Sequence, residues 1–198
     1  MNKLRFLEEE VERLKSAVEE LSVLNKLALA VGSSLNTEEV LNTIVREAVK
    51  AVKAEQGTIK LLTPDGDRPL QTLIRQQEDA FSSTAYQPDT EITGWVLKNK
   101  QALKVDDLAS DPRFRISATT KQNIHSLICV PIRLQAKLLG LLTVINKKNG
   151  QTFTSGDLRL LSIIAAQSGQ LIHNAQLQQQ ALKKNGCNMS WTWRVKFN

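Results

Sequence analysis

The chain has little of what chemistry most often needs. Its 198 residues include 2 histidines and 2 cysteines, Cys129 and Cys187. Two thiols, one in an apolar run and one near the C-terminus, cannot supply a disulfide framework or a four-ligand zinc site. With His125 and His173 alone, no nucleophile, base and orienting group can be nominated, so catalysis is not expected. A glycine-rich phosphate loop is absent, as are kinase and cyclase signatures. Aromatic residues make up 5% of the chain and do not interleave with basic ones in a stripe, so the net charge of +6 reads as ordinary surface lysine. Nucleic acid is therefore not an expected partner; Trp191 and Trp193 near Arg194 leave such a contact open for the tail alone. No apolar run follows the charged start, and the longest, Leu138 to Ile145, is far short of the ~20 residues of a membrane-spanning helix. The expectation is a cytoplasmic chain with no membrane span.

What is present is organised. Leu127 to Ile132 and Leu138 to Ile145 are apolar and rich in β-branched residues, which suits central strands covered on both faces, and Leu134 to Lys137 is short enough for an antiparallel hairpin. After Ile145 the polarity switches to Asn-Lys-Lys-Asn-Gly. Thr154 or Ser155 then caps a helix with Asp157 in its first turn, where a carboxylate suits the helix dipole. Upstream, Asn36 and Glu39 make a capping box for a helix to about Lys53 with Val40, Leu41, Ile44, Val45, Ala48 and Val52 on its apolar face. Pro64 to Asp67 is a turn between strands 57–63 and 69–75, and Gln76 to Asp89 is a polar loop.

At the N-terminus, Leu4, Leu7, Val11, Leu14, Val18, Leu21, Asn25 and Ala28 fall at alternating spacings of three and four, the a and d positions of a heptad. The pattern predicts a parallel coiled coil; the other reading is one amphipathic helix folded back on the domain. The closing helix, 155–183, keeps a stripe through Leu161, Ile164, Ser168, Leu171, Ala175 and Leu182 and ends at Asn185-Gly186. Beyond it, Trp191, Trp193, Val195 and Phe197 alternate as a strand would, and residues 184–198 read as a remnant of a following domain or an appended end.

Asn146, Lys147, Phe153 and Asp157 stand in the order and spacing of the NKFDE pattern carried by GAF domains of cyclic-nucleotide phosphodiesterases, with Leu158 in place of the final Glu. Gly57 to Leu62, Gly94 to Leu97 and Val105-Asp106-Asp107 leading to Asp111-Pro112-Arg113-Phe114 fit the same family. On these residues, which extend over most of the chain, it resembles a GAF domain, the sensory module of many signalling proteins. The resemblance implies an α/β fold of α+β type: a central antiparallel sheet with helices on both faces, flanked by long N- and C-terminal helices. It divides the chain into a signalling helix (1–31), the GAF domain with its exit helix (32–183) and the tail (184–198).

The implied role is to bind a small molecule and relay its presence through dimeric flanking helices to an output domain outside this chain. A ligand-free dimerisation or protein-interaction module is the alternative. The implied ligand-binding residues are Thr58, Ile92, Trp95, Asp106, Phe114, His125, Ile128 and Val130. Trp95, Phe114 and His125 also suit plain structural roles. Asn146, Lys147, Phe153 and Asp157 read as a clasp between the last strand and the closing helix. No metal is expected, and the cofactor is left open. Covalent bilin is not expected, because residues 114–126 hold no cysteine, and the methionine sulfoxide-reducing branch of the family needs more thiols than Cys129 alone. The expected partners are a second copy and a small molecule.

Overall fold

The computed structural model describes residues 5–8, 10–11, 13–15, 17–18, 20–22, 25, 37–62, 70–77, 90–114 and 124–194. The Asn36 cap, the 64–67 turn, the 78–89 part of the polar loop, and Leu4 and Ala28 of the heptad lie outside the described residues.

A five-stranded antiparallel sheet forms the centre: β1 (Ala54–Leu62), β2 (Leu70–Gln77), β3 (Leu103–Val105), β4 (Leu127–Leu134) and β5 (Lys137–Lys147), in the order β2-β1-β5-β4-β3. Helices α1 (Thr37–Ala51) and α3 (Ser155–Arg194) pack on one face, and α2 (Thr90–Asn99) lies on the other.

The strands sort their side chains as a pleated sheet must, alternately to each face. In β4, Ile128, Val130 and Ile132 point into the core under α1 and α3, whereas Leu127 and Cys129 join the cluster under α2. In α1, Val40, Leu41, Ile44, Val45, Ala48 and Val49 are buried, and Glu38, Glu39 and Lys50 match the helix dipole at its two ends. Gly57 lets α1 approach β1: a Cβ there would lie 3.0 Å from Val45 Cγ1. Ser168 is fully buried in α3, and its hydroxyl donates to the Ile164 carbonyl at 2.6 Å, so no donor is orphaned.

The β4–β5 hairpin is tighter than the sequence suggested. Leu134 pairs with Lys137, leaving only Gln135 and Ala136 in the turn, and Gln135 takes the left-handed conformation (φ 52°). At the other end, α3 runs on through Asn185 and Gly186 to Arg194, so the expected stop and the alternating strand at Trp191 and Trp193 are corrected to helix. One glycine costs a helix only about 1 kcal/mol relative to alanine, which does not force an end.

Between positions 5 and 25 the described residues are helical. Glu20 Oε1 lies 3.3 Å from Arg159 Nε in the first turns of α3, so this helix rests against α3 through a polar edge.

Candidate functional site

Near the end of β5, Asn146 takes the left-handed conformation (φ 53°), which asparagine tolerates better than most residues. Its backbone N–H donates to the Ser126 carbonyl at 2.8 Å, and its side-chain Oδ1 accepts the His125 N–H at 2.9 Å. Next along, Lys147 Nζ reaches Asp157 Oδ2 at 2.5 Å, with both side chains largely buried. The same carboxylate accepts the Thr154 N–H at 2.6 Å and hydroxyl at 2.8 Å, while Thr154 Oγ1 accepts the Asp157 N–H at 3.1 Å. This is a reciprocal cap on α3. Desolvation pushes the Asp157 pKa up, but the Lys147 and Thr154 hydrogen bonds outweigh it and hold the carboxyl below its ordinary value. Phe153 is buried beneath, 6.0 Å from the Lys147 ammonium. Leu158, where the family pattern has Glu, packs against the core. The Lys147–Asp157 pair thus joins the last strand to the closing helix, while Asn146 ties that strand's end to the segment before β4.

The α2 side of the sheet has a different chemistry. Ile92 and Val96 of α2, with Phe114, Leu108 and Ile124, cover Leu103, Val105, Leu127, Cys129, Leu141 and Ile145. Toward β1 the floor turns polar. Thr58, Thr143, Cys129 and Leu103 stand side by side in register across four strands. The Thr143 hydroxyl contacts Cys129 Sγ at 3.2 Å, and burial pushes the Cys129 thiol up to about 11 despite that contact and the nearby Lys60. The thiol is thus neutral near pH 7 and is a poor nucleophile. Farther along the same face, Thr58 Oγ1 and Gln56 Oε1 are buried and, among the described residues, have no hydrogen-bond partner. Both belong to the α2 side, because the intervening Gly57 faces α1 and Ile59 joins the opposite core.

The GAF domain family model matches residues 36–172. The chain belongs to the GAF domain family. It is 25% identical over 188 residues to a Nif-specific regulatory protein of Herbaspirillum seropedicae, covering 90% of this chain and 34% of that relative's length. Among solved structures, it is similar to the GAF domain of a phosphoenolpyruvate-protein phosphotransferase from Coxiella burnetii (TM-score 0.66, 17% identity, 83% of this chain and 98% of that one). It is also similar in fold to the free methionine-R-sulfoxide reductase of Neisseria meningitidis, solved with its substrate (TM-score 0.64, 16% identity, 82% and 93% covered).

Within this GAF domain the sequence-predicted ligand residues separate into three places. Thr58, Ile92 and Phe114 are buried on the α2 side of the sheet, and Trp95 lies partly buried at the edge of that cluster, where the Arg113 guanidinium stands 5.7 Å from its ring centre. Arg113 in turn grips Asp111 through Nε at 2.9 Å and Nη2 at 2.5 Å, which holds the Asp111 carboxyl below its ordinary pKa. Asp106 and His125 instead line a cleft of ≈ 290 Å³ at the end of the sheet, with Glu55, Asp107, Asn146 and Lys147. There Asp106 is taken by Lys104 Nζ at 2.5 Å, and Ser110 and then the Ala109 N–H keep the exposed Asp107 carboxyl low. Ile128 and Val130 lie in the third place: strand alternation turns them into the opposite core, sealed by α1 and α3. Gln56 was missed. The alternation that selects Thr58 also selects Gln56, two positions earlier on the same face. Among the described residues no group of three or more His, Cys, Asp or Glu side chains is placed to hold a metal, and no helix is long and apolar enough to cross a membrane.

Proposed function

We propose that this chain is the sensory part of a larger signal-transduction protein: it takes a small molecule on the α2 side of its sheet and acts by binding, not catalysis. Occupancy is relayed through α3 and the N-terminal helix, paired across a homodimer, to an output domain. The observation that carries this reading is the pair Gln56 Oε1 and Thr58 Oγ1 on one buried face, without a hydrogen-bond partner among the described residues. Each buried polar atom left unpaired costs roughly 1–3 kcal/mol, a cost that a ligand offering N–H or O–H donors removes. The similarity to a Nif-specific regulatory protein supports a regulatory role, and the neutral Cys129 thiol argues against redox work. Thr58 therefore belongs to the proposed site together with Gln56, Ile92 and Phe114.

The test is calorimetry and thermal shift on the whole chain with cyclic AMP, cyclic GMP and a panel of donor-bearing metabolites, repeated with Thr58→Val. The near-isosteric valine should raise the unliganded melting temperature by about 3 °C, because an orphan hydroxyl is lost. The same variant should weaken the responding ligand by roughly tenfold. A panel that shifts neither protein would sink the sensing reading and leave the second one, a ligand-free dimerisation module. That alternative is favoured by the exposed apolar stripe of the N-terminal helix.

A further inference from the structure

Along α3 the cover gives out toward the C-terminal end. Ile172 and Ala175 are buried, whereas Leu177 is 51% exposed. Between that stretch of the helix and the paired ends of β1 and β5 lies a groove of ≈ 810 Å³, within the range of roughly 300–1,000 Å³ usual for small-molecule sites. It opens on the α1 and α3 face of the sheet, where Leu61 and Ile172 belong to the core, and so is separate from the α2 side. Its chemistry is lopsided. Leu62, Leu138 and Leu177 make the walls apolar, Lys137, His173 and Gln176 bring hydrogen-bond donors, and no described residue of the lining is acidic. Lys137, exposed at the start of β5, forms no ion pair among the described residues. Gln179, also on the wall, accepts the Thr37 hydroxyl at Oε1 over 3.1 Å, which ties α3 to the start of α1.

We infer that this groove takes a free long-chain fatty acid, with its carboxylate on Lys137 and its chain along the leucines. Charge complementarity selects the head group. A carboxylate gains a charge-assisted hydrogen bond from the Lys137 ammonium and meets no like charge. The same lining rejects the alternatives: a cation finds no carboxylate, a phosphate dianion finds a single lysine, and a sugar leaves the leucines wet. An unbranched chain covers them instead, and each methylene it brings out of water adds to binding. The bound acid touches the β4–β5 hairpin and α3 together, so it braces the helix where it leaves the domain. This second site goes beyond the ligand reading above and does not rest on it, because it lies on the opposite face of the sheet.

The test uses the whole chain. A dansyl-labelled undecanoic acid should brighten on binding, and palmitic acid, kept below the concentration at which it aggregates, should displace it. Hexadecanol, the same chain without the carboxylate, should compete roughly tenfold less well. Lys137→Gln and Leu177→Glu should each weaken palmitate by roughly tenfold or more at an unchanged unliganded melting temperature. Lys50→Gln, at the far end of α1 from Thr37, should bind as the wild type does. No displacement, equal competition by palmitic acid and hexadecanol, or a Lys137→Gln chain that binds as tightly as the wild type would overturn the inference. So would a Leu177→Glu chain that sediments differently from the wild type, which gives the groove to a second copy, or a chain that anionic lipid vesicles carry down while the free acid leaves it indifferent.

Discussion

Gly169→Ala should be strongly destabilising. Gly169 lies on the buried side of α3, directly over β4, and a Cβ there would come within 2.7 Å of the Arg133 carbonyl carbon and even closer to its oxygen. Both obstructing atoms are backbone, so no rotamer change makes room. Either α3 lifts from the sheet or the end of β4 bends, although Arg133 also anchors that stretch by donating from Nη2 to the Lys100 carbonyl. Alanine has the better helix propensity by about 1 kcal/mol, so propensity alone predicts stabilisation. Overpacking against a fixed backbone costs ~3 kcal/mol or more and decides the sign. Urea unfolding should therefore show a net loss of at least about 2 kcal/mol. As a control, Gly94→Ala in α2, where an added Cβ meets nothing within 4 Å, should be neutral or slightly stabilising. Equal behaviour of the two variants would mean that α3 does not approach the sheet as described.

Such close approaches are where the sequence was silent. The apolar runs announced β4 and β5 because their residues differ from their neighbours in polarity, and the periodicity of α1 predicted its buried face. Gly169 carries no such mark, since its meaning comes from a strand lying more than thirty positions earlier. The clasp was legible for a related reason. Asn146, Lys147, Phe153 and Asp157 lie within one turn and one helix start, so their spacing alone implied their proximity. The candidate ligand face was only half legible. Its members come from β1, α2, β4 and β5, and choosing them meant deciding which way each strand faces. In β1 that choice named Thr58 and not Gln56, although both lie on the same face. In β4 it took the even-numbered Ile128 and Val130, when Leu127 and Cys129 face α2. A strand covered on both faces is apolar at every position and gives no alternation to read.

The clasp yields the prediction with a pH signature. Lys147 and Asp157 side chains are 12% and 14% exposed, so breaking the pair from one side strands a charge in a poorly solvated place. Asp157→Asn should lower the unfolding free energy at neutral pH by about 3 kcal/mol. Lys147→Met combined with Asp157→Asn should recover part of that loss, because the stranded ammonium goes too. The acid limb then separates charge from cap. Against desolvation, the folded Asp157 carboxyl is held below its ordinary value, chiefly by the Lys147 and Thr154 hydrogen bonds. Its contribution is therefore complete above that value and disappears as pH falls through the lowered folded pKa. Wild-type stability should fall more steeply than that of Asp157→Asn below about pH 4, and the two curves should converge at the acid end. Asp107 and Asp111, whose carboxyls are also held low, titrate in both proteins and cancel in the difference. A gap between the curves that stays constant down to the acid end would assign the loss to the Thr154 cap rather than to the ion pair. The ion pair would then add little to the join between β5 and α3, and Lys147 could be replaced without loosening the helix that leaves the domain.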